Sequence, residues 1–143
     1  MFEKHYKEIY PEELQLKKES KFSNTCSFLD LSINIEHNSF VTSLYDKRDD
    51  YNFKIVRLPY RSSNIPKKMF TSSIVAEILR IARVTSSFQS FLTSVQTLVK
   101  RMLSQGAHIV DIKTSSHRIM KKHWEDFEKY AMTSKVIISS IFV

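Results

Sequence analysis

A chain of 143 residues, of which 42% are hydrophobic and 12% aromatic, is long enough for one domain with a buried core, which excludes disorder throughout. The single cysteine, Cys26, excludes an intrachain disulfide, and the single glycine, Gly106, excludes phosphate-binding loops that need several glycines. Residues 1–50 contain 7 Lys and Arg against 10 Asp and Glu, whereas residues 51–143 contain 15 against 5. The second part therefore has a net charge of +10 and is expected to favour a polyanionic partner.

The two ends of the chain bear on its location. The N-terminal stretch MFEKHYKEIY lacks the apolar segment of a signal peptide. The longest apolar run, VIISSIFV at the C terminus, is too short to cross a bilayer. Together with the lone cysteine, these features predict an intracellular protein of the nucleus or cytoplasm, not secreted and with no membrane partner. The oligomeric state stays open.

The first elements predicted are strands. Residues 1–25 are charged and irregular, and their pattern does not decide between an edge strand and a short helix. In SFLDLSINI, apolar residues alternate with polar ones and predict one half-buried strand with Leu29, Leu31, Ile33 and Ile35 on its core face. The turn EHNS follows, with Asn38 expected in a left-handed conformation. FVTSLYD is predicted as the returning strand, and NFKIVRLPY as a third strand that ends at Pro59.

After Tyr60 the hydrophobic period becomes helical. Phe70, Ile74 and Ile78 predict a helix over about residues 66–83, with Asn64 as a candidate cap. The apolar series from Phe88 to Leu103 predicts a second helix, which Gly106 would end. A third helix is predicted over about residues 115–131. Its apolar members are Ile119, Trp124, Phe127 and Tyr130.

These elements predict an α+β protein, in which an N-terminal antiparallel β-hairpin or small sheet packs on a three-helix cluster. Residues 1–25 form the irregular segment, residues 26–60 the hairpin region and residues 61–131 the helical region. Residues 132–143 form an apolar tail. The β-prone run from Lys135 to Val143 could pair with a sheet edge.

The candidate binding residues are cations outside the apolar stripes. On helical wheels, Arg80 and Arg83 lie away from the Ile74 and Ile81 face, and Lys100 and Arg101 lie away from Leu98. With two lysines at the start of the first helix, they form a set of six candidates for contacts to phosphates: Lys67, Lys68, Arg80, Arg83, Lys100 and Arg101. The alternative is an ordinary solvated helix face.

Neither a metal centre nor a nucleophile is predicted. The five histidines include no pair spaced by four residues and none near Cys26, so no zinc-type pattern, metal or other cofactor is expected. Asp49 and Asp50 form an adjacent carboxylate pair of the kind used in two-metal phosphoryl-transfer sites. Such a site needs a further carboxylate from another rigid element, and the alternative is a solvated turn.

Several short motifs resemble the reverse transcriptases of Penelope-like retroelements, in the segment that follows the catalytic palm. In order, they are an FLD strand, a Tyr-x-Lys stretch, a Pro-Tyr element, an R-I-x-R helix and a Q-G turn. Here they are Phe28–Asp30, Tyr45–Lys47, Pro59–Tyr60, Arg80–Arg83 and Gln105–Gly106. The resemblance covers about residues 10–112.

The resemblance implies that the hairpin corresponds to a primer-gripping element and the helices to a thumb with helix-turn-helix character. The family's catalytic aspartates lie upstream of the FLD strand, so Asp49 and Asp50 do not match them and are expected in a solvent-facing loop. The chain is accordingly expected to be a retrotransposon-derived, non-catalytic fragment, not an enzyme. It would bind template–primer nucleic acid, as an RNA–DNA hybrid or duplex DNA, through a basic helical thumb.

Two other classes of function remain open at this stage. One is a helix-turn-helix DNA-binding module, which would show sequence preference on duplex DNA. The other is a degenerate remnant, or a protein-interaction piece, with no selected biochemical activity. Such a chain would bind no polyanion.

Overall fold

The computed structural model describes Pro11, residues 24–53 and residues 55–142. These residues form an antiparallel sheet followed by a helical cluster, which confirms the predicted α+β class. The strands are β1 (Thr25–Phe28), β2 (Leu31–Glu36) and β3 (Ser39–Leu44). The α-helices are α1 (Lys67–Val84), α2 (Phe88–Ser104), α3 (Ile109–Lys122) and α4 (Ser134–Ile141). Of the segment predicted to be irregular, residues 1–25, the structure describes only Pro11, Asn24 and Thr25, and Thr25 is the first residue of β1.

The sheet has the order β1–β2–β3, with a tight turn at each connection. In the second turn, His37 and Asn38 have φ of 47° and 62°. Positive φ at both central residues is the type I′ pattern, which matches the twist of the flanking strands. The predicted left-handed conformation of Asn38 is therefore confirmed.

The first turn corrects the prediction of one strand over SFLDLSINI. Phe28 pairs with Leu31 across Leu29 and Asp30, so the segment is two strands and a turn. Leu29 has a φ of 53° and an exposed fraction of 80%, and does not lie on a core face. The alternation missed this because Leu29 lies two residues before Leu31 and so extends the odd-numbered apolar series of β2, although Leu29 itself is in the turn.

The predicted third strand is wrong, and the predicted packing face is right only in part. The described residues between 51 and 60 contain no strand. The sheet meets the helices through β3, because Leu44 packs against the core and the Thr42 hydroxyl donates to the Val84 carbonyl at 2.7 Å. Leu31 and Ile33 are the cross-strand partners of Leu44 and Thr42 and so lie on the same face of the sheet. They are only half-buried, however, and Ile35 is 45% exposed.

The helical cluster contains every buried apolar side chain of the described residues. The α1 and α2 stripes lie in this core as predicted, with Phe70, Ile74, Phe91 and Met102 almost fully buried, except that Leu103 at the end of the predicted α2 stripe is 42% exposed. Their side chains face inward because they recur at helical spacing. The core also includes Ile78, Ile81, Ala82, Val95, Leu98, Val99, Ala107, Ile112, Ile119, Met120, Phe127, Tyr130, Ile137 and Ile141.

The ends of α1 and α2 test the predicted caps. Pro66, not Asn64, is the N-cap residue of α1, and it makes no side-chain cap bond. Ser87 caps α2 by accepting a hydrogen bond from the Ser90 amide at 3.2 Å. Gly106 has a φ of 84°, which confirms the predicted left-handed end of α2.

The third helix begins earlier and ends earlier than the predicted range of residues 115–131. It covers Ile109–Lys122 and is followed by two 3-10 turns, Trp124–Asp126 and Glu128–Tyr130. Its buried positions include Ser115 and Ser116, which hid the apolar stripe in the sequence. Trp124, Phe127 and Tyr130 recur every three residues, and that is the period of a 3-10 helix.

The C-terminal tail is helical, and the predicted β-type run is wrong. Thr133 caps α4 by accepting from the Val136 amide at 3.4 Å. Ile137 and Ile141 lie four residues apart and are both buried against the core. Tertiary packing of this apolar pair outweighs the strand propensity of the β-branched residues.

Candidate nucleic-acid interface

The six predicted cations differ in whether they have a carboxylate partner. Arg80, Arg83, Arg101 and Lys67 each form an ion pair within the protein. Among the described residues, no carboxylate lies within ion-pair distance of Lys68 or Lys100, and both are exposed. The predicted set is therefore not one uniform solvated surface.

Arg101 joins α2 to the 3-10 turn at Lys47–Asp50 that follows β3. Its guanidinium donates to Asp46 Oδ2 at 2.7 Å and to Asp49 Oδ1 at 2.5 Å. Arg48 also binds Asp46 through two side-chain nitrogens. Hydrogen bonds from Arg48, and then from Arg101, lower the pKa of Asp46 well below its usual range despite its partial burial. The same pair raises the pKa of Arg48.

Arg80 belongs to a neighbouring group of charges. It donates to Asp30 Oδ2 at 2.6 Å and to Glu77 Oε2 at 3.0 Å, and Glu77 also pairs with Arg57. Arg80 and Arg101 line one cavity of about 180 Å³, which lies between the end of β3, α1 and α2. The fold therefore brings Arg80 and Arg101 close together, as a shared binding surface would need. The carboxylates of Asp30, Glu77, Asp46 and Asp49 already balance their charge, however.

Arg83 and Lys67 lie elsewhere. Arg83 makes two hydrogen bonds to Asp126, at 3.1 and 3.2 Å, and so connects the end of α1 to the turn after α3. Lys67 Nζ lies 3.7 Å from Asp111, the one acidic residue of α3, and Arg61 Nε lies at the same distance from that carboxylate. Both pairs link neighbouring parts of the helical cluster.

The adjacent carboxylates Asp49 and Asp50 also have partners within the protein. Asp49 binds Arg101, and Asp50 accepts a hydrogen bond from the Tyr45 hydroxyl. Both residues are exposed in the 3-10 turn, in keeping with the predicted solvent-facing segment. Asp49 is nevertheless a structural contact between this turn and α2 rather than a freely solvated side chain.

A basic surface that the sequence prediction missed lies on the outer side of α3. We define the basic face of α3 as Lys113, His117, Arg118, Lys121 and Lys122. All five side chains are exposed, and within residues 24–53 and 55–142 none forms an ion pair. Their spacing of three, four or one residue places them on adjoining rows of the helix surface.

The packing of α3 explains this arrangement. Ile112, Ser115, Ser116, Ile119 and Met120 face the core and are buried, which turns the intervening cations outward. The acidic residue of α3, Asp111, points instead toward Arg61 and Lys67. Residues 113–122 contain four Lys or Arg and no acidic residue, a signal that was present in the sequence. The basic face was not predicted because the predicted helix began at residue 115. Two of the buried positions of α3 are serines, so the sequence did not show which side of the helix faces the core.

One group of ligand-type atoms follows α3. His123, Glu125 and Asp126 each offer one atom within 4.8 Å of the others, a geometry that could hold a metal ion. Asp126 is already bound by the Arg83 guanidinium through both oxygens. A cation at this position would compete with that arginine, so the group is more readily understood as part of the ion pair that closes the helical cluster.

Comparison of the chain with protein-family models, curated proteins and solved structures finds no match. The resemblance to Penelope-like reverse transcriptases therefore stays a prediction carried by the short motifs in which it was seen. None of the helices in the described part of the chain has the length and apolar character needed to cross a membrane.

Proposed function

We propose that this protein is a nucleic-acid-binding module that contacts the phosphate backbone through the basic face of α3. The observation that carries this proposal is a set of five exposed side chains, four Lys or Arg and one His, with no acidic residue of α3 between Lys113 and Lys122. Cations that are not paired within the protein keep their full charge for a ligand. Each can displace a counterion from the phosphate backbone when it binds.

The resemblance to a reverse-transcriptase thumb supports the choice of ligand. A thumb holds template–primer duplex by shape and phosphate contacts, so we expect affinity for RNA–DNA hybrid and duplex DNA with little dependence on sequence. The ion-paired arginines of the predicted set would contribute less, because a phosphate would first have to displace Asp30, Asp46 or Asp126. The proposal is for a binding protein and includes no polymerase step.

A second candidate, a helix-turn-helix module that reads duplex DNA, is favoured by one observation. The helices α1, α2 and α3 follow one another with short connections, residues 85–87 and 105–108. A turn of three or four residues is typical of that motif, whose later helix enters the major groove. Sequence preference on duplex DNA would distinguish this candidate from backbone binding.

The test is a titration of labelled RNA–DNA hybrid and of duplex DNA of the same sequence at several salt concentrations. The variant Arg118→Gln/Lys121→Gln/Lys122→Gln removes three charges from the basic face of α3. We expect its affinity to fall and its log–log salt slope to decrease by about 0.9 for each lost contact on B-DNA. Circular dichroism should confirm folding, because cations in the last turn of a helix also stabilise it.

The matched control is Lys47→Gln/Lys129→Gln/Lys135→Gln, which removes the same charge from exposed positions on three other elements. We expect a much smaller loss of affinity for this variant. An equal loss in both variants would show that only net charge matters. Unchanged binding in the α3 variant would overturn the proposed interface.

A further inference from the structure

A hollow of about 430 Å³ lies beside the C-terminal half of the basic face of α3. It is formed by α3, the 3-10 turn that follows it and the beginning of α4. We call it the Trp124 hollow. Its lining comprises His117, Met120, Lys121, Trp124, Ser134 and Ile138.

The Trp124 hollow has an apolar floor and a basic rim. Met120 is 2% exposed at its base, and Trp124 and Ile138 are half-buried where they pack against the core. Lys121 and His117 are exposed at its edge. Among the residues that the structure describes, no carboxylate belongs to the lining.

The charges around the Trp124 hollow favour an anionic ligand. The two acidic side chains that follow Trp124 in the chain, Glu125 and Asp126, do not belong to the lining. Asp126 binds the Arg83 guanidinium, and Glu125 Oε1 lies 3.7 Å from His123 Nδ1. Ser134, the first residue of α4, lines the hollow. The N-terminal end of the α4 helix dipole therefore adds a modest positive potential there. A ligand for this site should therefore combine a flat apolar group with a neighbouring negative charge.

A nucleobase with its flanking phosphates has this combination. Bases stack on aromatic side chains irrespective of sequence, while a basic groove follows the backbone. The volume of the hollow lies within the range of small-ligand sites. A base inside a duplex is stacked on its neighbours and cannot enter, so the ligand must offer an unpaired base.

We infer that the Trp124 hollow holds one unpaired base of a single-stranded nucleic acid whose backbone runs along the basic face of α3. This inference rests on the proposed function and narrows its ligand from any phosphate backbone to one with single-stranded character. Trp124 supplies the stacking surface, and Lys121 contacts an adjacent phosphate. His117, on the same side of α3, borders the entrance.

The experiment uses the full chain and the fluorescence of Trp124, which is the only tryptophan in the sequence. Four probes of about twelve nucleotides, a length within the usual range for single-strand sites, are compared: oligothymidine, oligouridine, an abasic strand with the same phosphates, and a blunt duplex. We expect oligothymidine to quench Trp124 emission and to bind roughly 5- to 150-fold more tightly than the abasic strand, as one stacked base would. The oligouridine arm distinguishes RNA from DNA as the source of the base.

Two outcomes separate this inference from the proposed function. If the abasic strand and the duplex bind as tightly as oligothymidine and emission does not change, the base site is overturned and backbone binding stands. If none of the four probes binds, both proposals fail. Quenching and preference for oligothymidine together support both.

Variants locate the site. Trp124→Leu should abolish the preference over the abasic strand, measured by anisotropy of labelled probes. Since Trp124 also packs against the core, Ser134→Leu provides a second test by narrowing the hollow from an exposed rim position. Its matched control is Ser139→Leu, an exposed serine of α4 outside the lining. A preference lost in Ser134→Leu and kept in Ser139→Leu is expected, and equal behaviour of the two would contradict the site.

Discussion

The sheet and the helical cluster are held by different forces. Every apolar side chain that is buried in the described residues belongs to the helical cluster, beginning at Phe70. The sheet instead leaves Phe28, Leu29 and Phe40 with exposed fractions of 67%, 80% and 74%. One region is built around its own hydrophobic core, and the other is a small sheet attached to the outside of that core.

The attachment of the sheet region is largely polar. The Thr42 amide donates to Ser86 Oγ and the Thr42 hydroxyl to the Val84 carbonyl at the end of α1. Asp30 binds Arg80, and Asp46 binds Arg101. Most of these contacts are partly solvated, and exposed ion pairs contribute little each. We therefore expect the helical cluster to dominate global stability and the sheet to open at a lower free energy.

The largest expected effect is in the helical core. Phe91 is 0% exposed and contacts the rings of Phe127 and Tyr130 at centroid distances of 5.9 and 5.0 Å. Phe91→Ala should lower the free energy of unfolding by about 3–5 kcal/mol, through lost burial and the cavity left behind. Chemical denaturation measures the change.

The control for this prediction is Phe40→Ala in β3. The same substitution at a 74% exposed position should change the unfolding free energy by less than about 0.5 kcal/mol. A comparable loss at both positions would mean that the sheet shares the core, and that the contrast between the two regions is wrong.

The next effect should come from the contact that holds the turn after β3. Asp46→Asn keeps the side-chain shape but removes the charge that binds Arg48 and Arg101. We expect a loss of about 1–3 kcal/mol, the range for hydrogen bonds to charged groups. Amide hydrogen exchange should be faster in β2 and β3 of this variant than in the wild type, while the exchange rates in α2 stay unchanged.

The pH dependence of this contact has a defined sign. Because the pKa of Asp46 is lower in the folded protein than its ordinary value of 3.8, the stabilisation is fully present above about pH 4. It is lost as the pH falls through the lowered pKa. The acid loss of sheet protection should be smaller in Asp46→Asn, and an identical acid profile in both proteins would contradict the assignment.

A smaller effect is expected at a buried polar contact inside the helical cluster. The Tyr130 hydroxyl lies 2.8 Å from Thr85 Oγ1 and donates to the Ala82 carbonyl at 3.2 Å. Tyr130→Phe should cost about 1 kcal/mol, because Thr85 keeps its own bond to the Ile81 carbonyl at 2.7 Å. Thermal and chemical denaturation measure this loss.

Alkaline pH gives an independent measure of the same contact. Burial raises the pKa of Tyr130 from 10.0 to about 12. The stabilisation is therefore present below pH 10 and is lost as the pH rises toward 12. Between pH 10 and 12 the free energy of unfolding should fall less in Tyr130→Phe than in the wild type. Equal pH profiles for the two proteins would contradict the contribution of Tyr130 ionisation.

The smallest effect is a gain in stability at the first turn of the sheet. Leu29 has a φ of 53°, a conformation that costs an L-residue roughly 1–2 kcal/mol. Leu29→Gly removes this cost from the folded protein, but glycine also raises the conformational entropy of the unfolded chain, which offsets part of the stabilisation. We therefore expect the free energy of unfolding to rise by a few tenths to about 1 kcal/mol. Leu29→Ala keeps the backbone cost and should be close to neutral. A Gly variant less stable than the Ala variant would mean that the side chain has a packing role.

The sequence determined the helical region well where apolar residues recur at helical spacing. The stripes from Phe70 to Ile81 and from Phe88 to Leu103 predicted α1 and α2 almost to the residue, although Leu103 itself is exposed, and Gly106 marked the end of α2. Asn38 likewise marked its own turn. In these places the local preference and the packed structure agree, because each residue is used for the conformation that it favours by itself.

Only the tertiary structure decided the other elements. Leu29 looks like a strand residue but occupies a turn, and Ile137 and Ile141 look like strand residues but pack as a helix. Ser115 and Ser116 look exposed but are buried in α3. Burial against a neighbouring element outweighs intrinsic propensity in each case, and that neighbour is distant in the chain.

The candidate site divides in the same way. The sequence determined that the second part of the chain is basic and which residues carry the charge. It did not determine which cations would be neutralised, because Arg80 and Arg101 find their carboxylates 50 and 55 residues away. Ion pairing is set by distance in space, so only the fold could leave the basic face of α3 unpaired while joining the predicted arginines to Asp30 and Asp46.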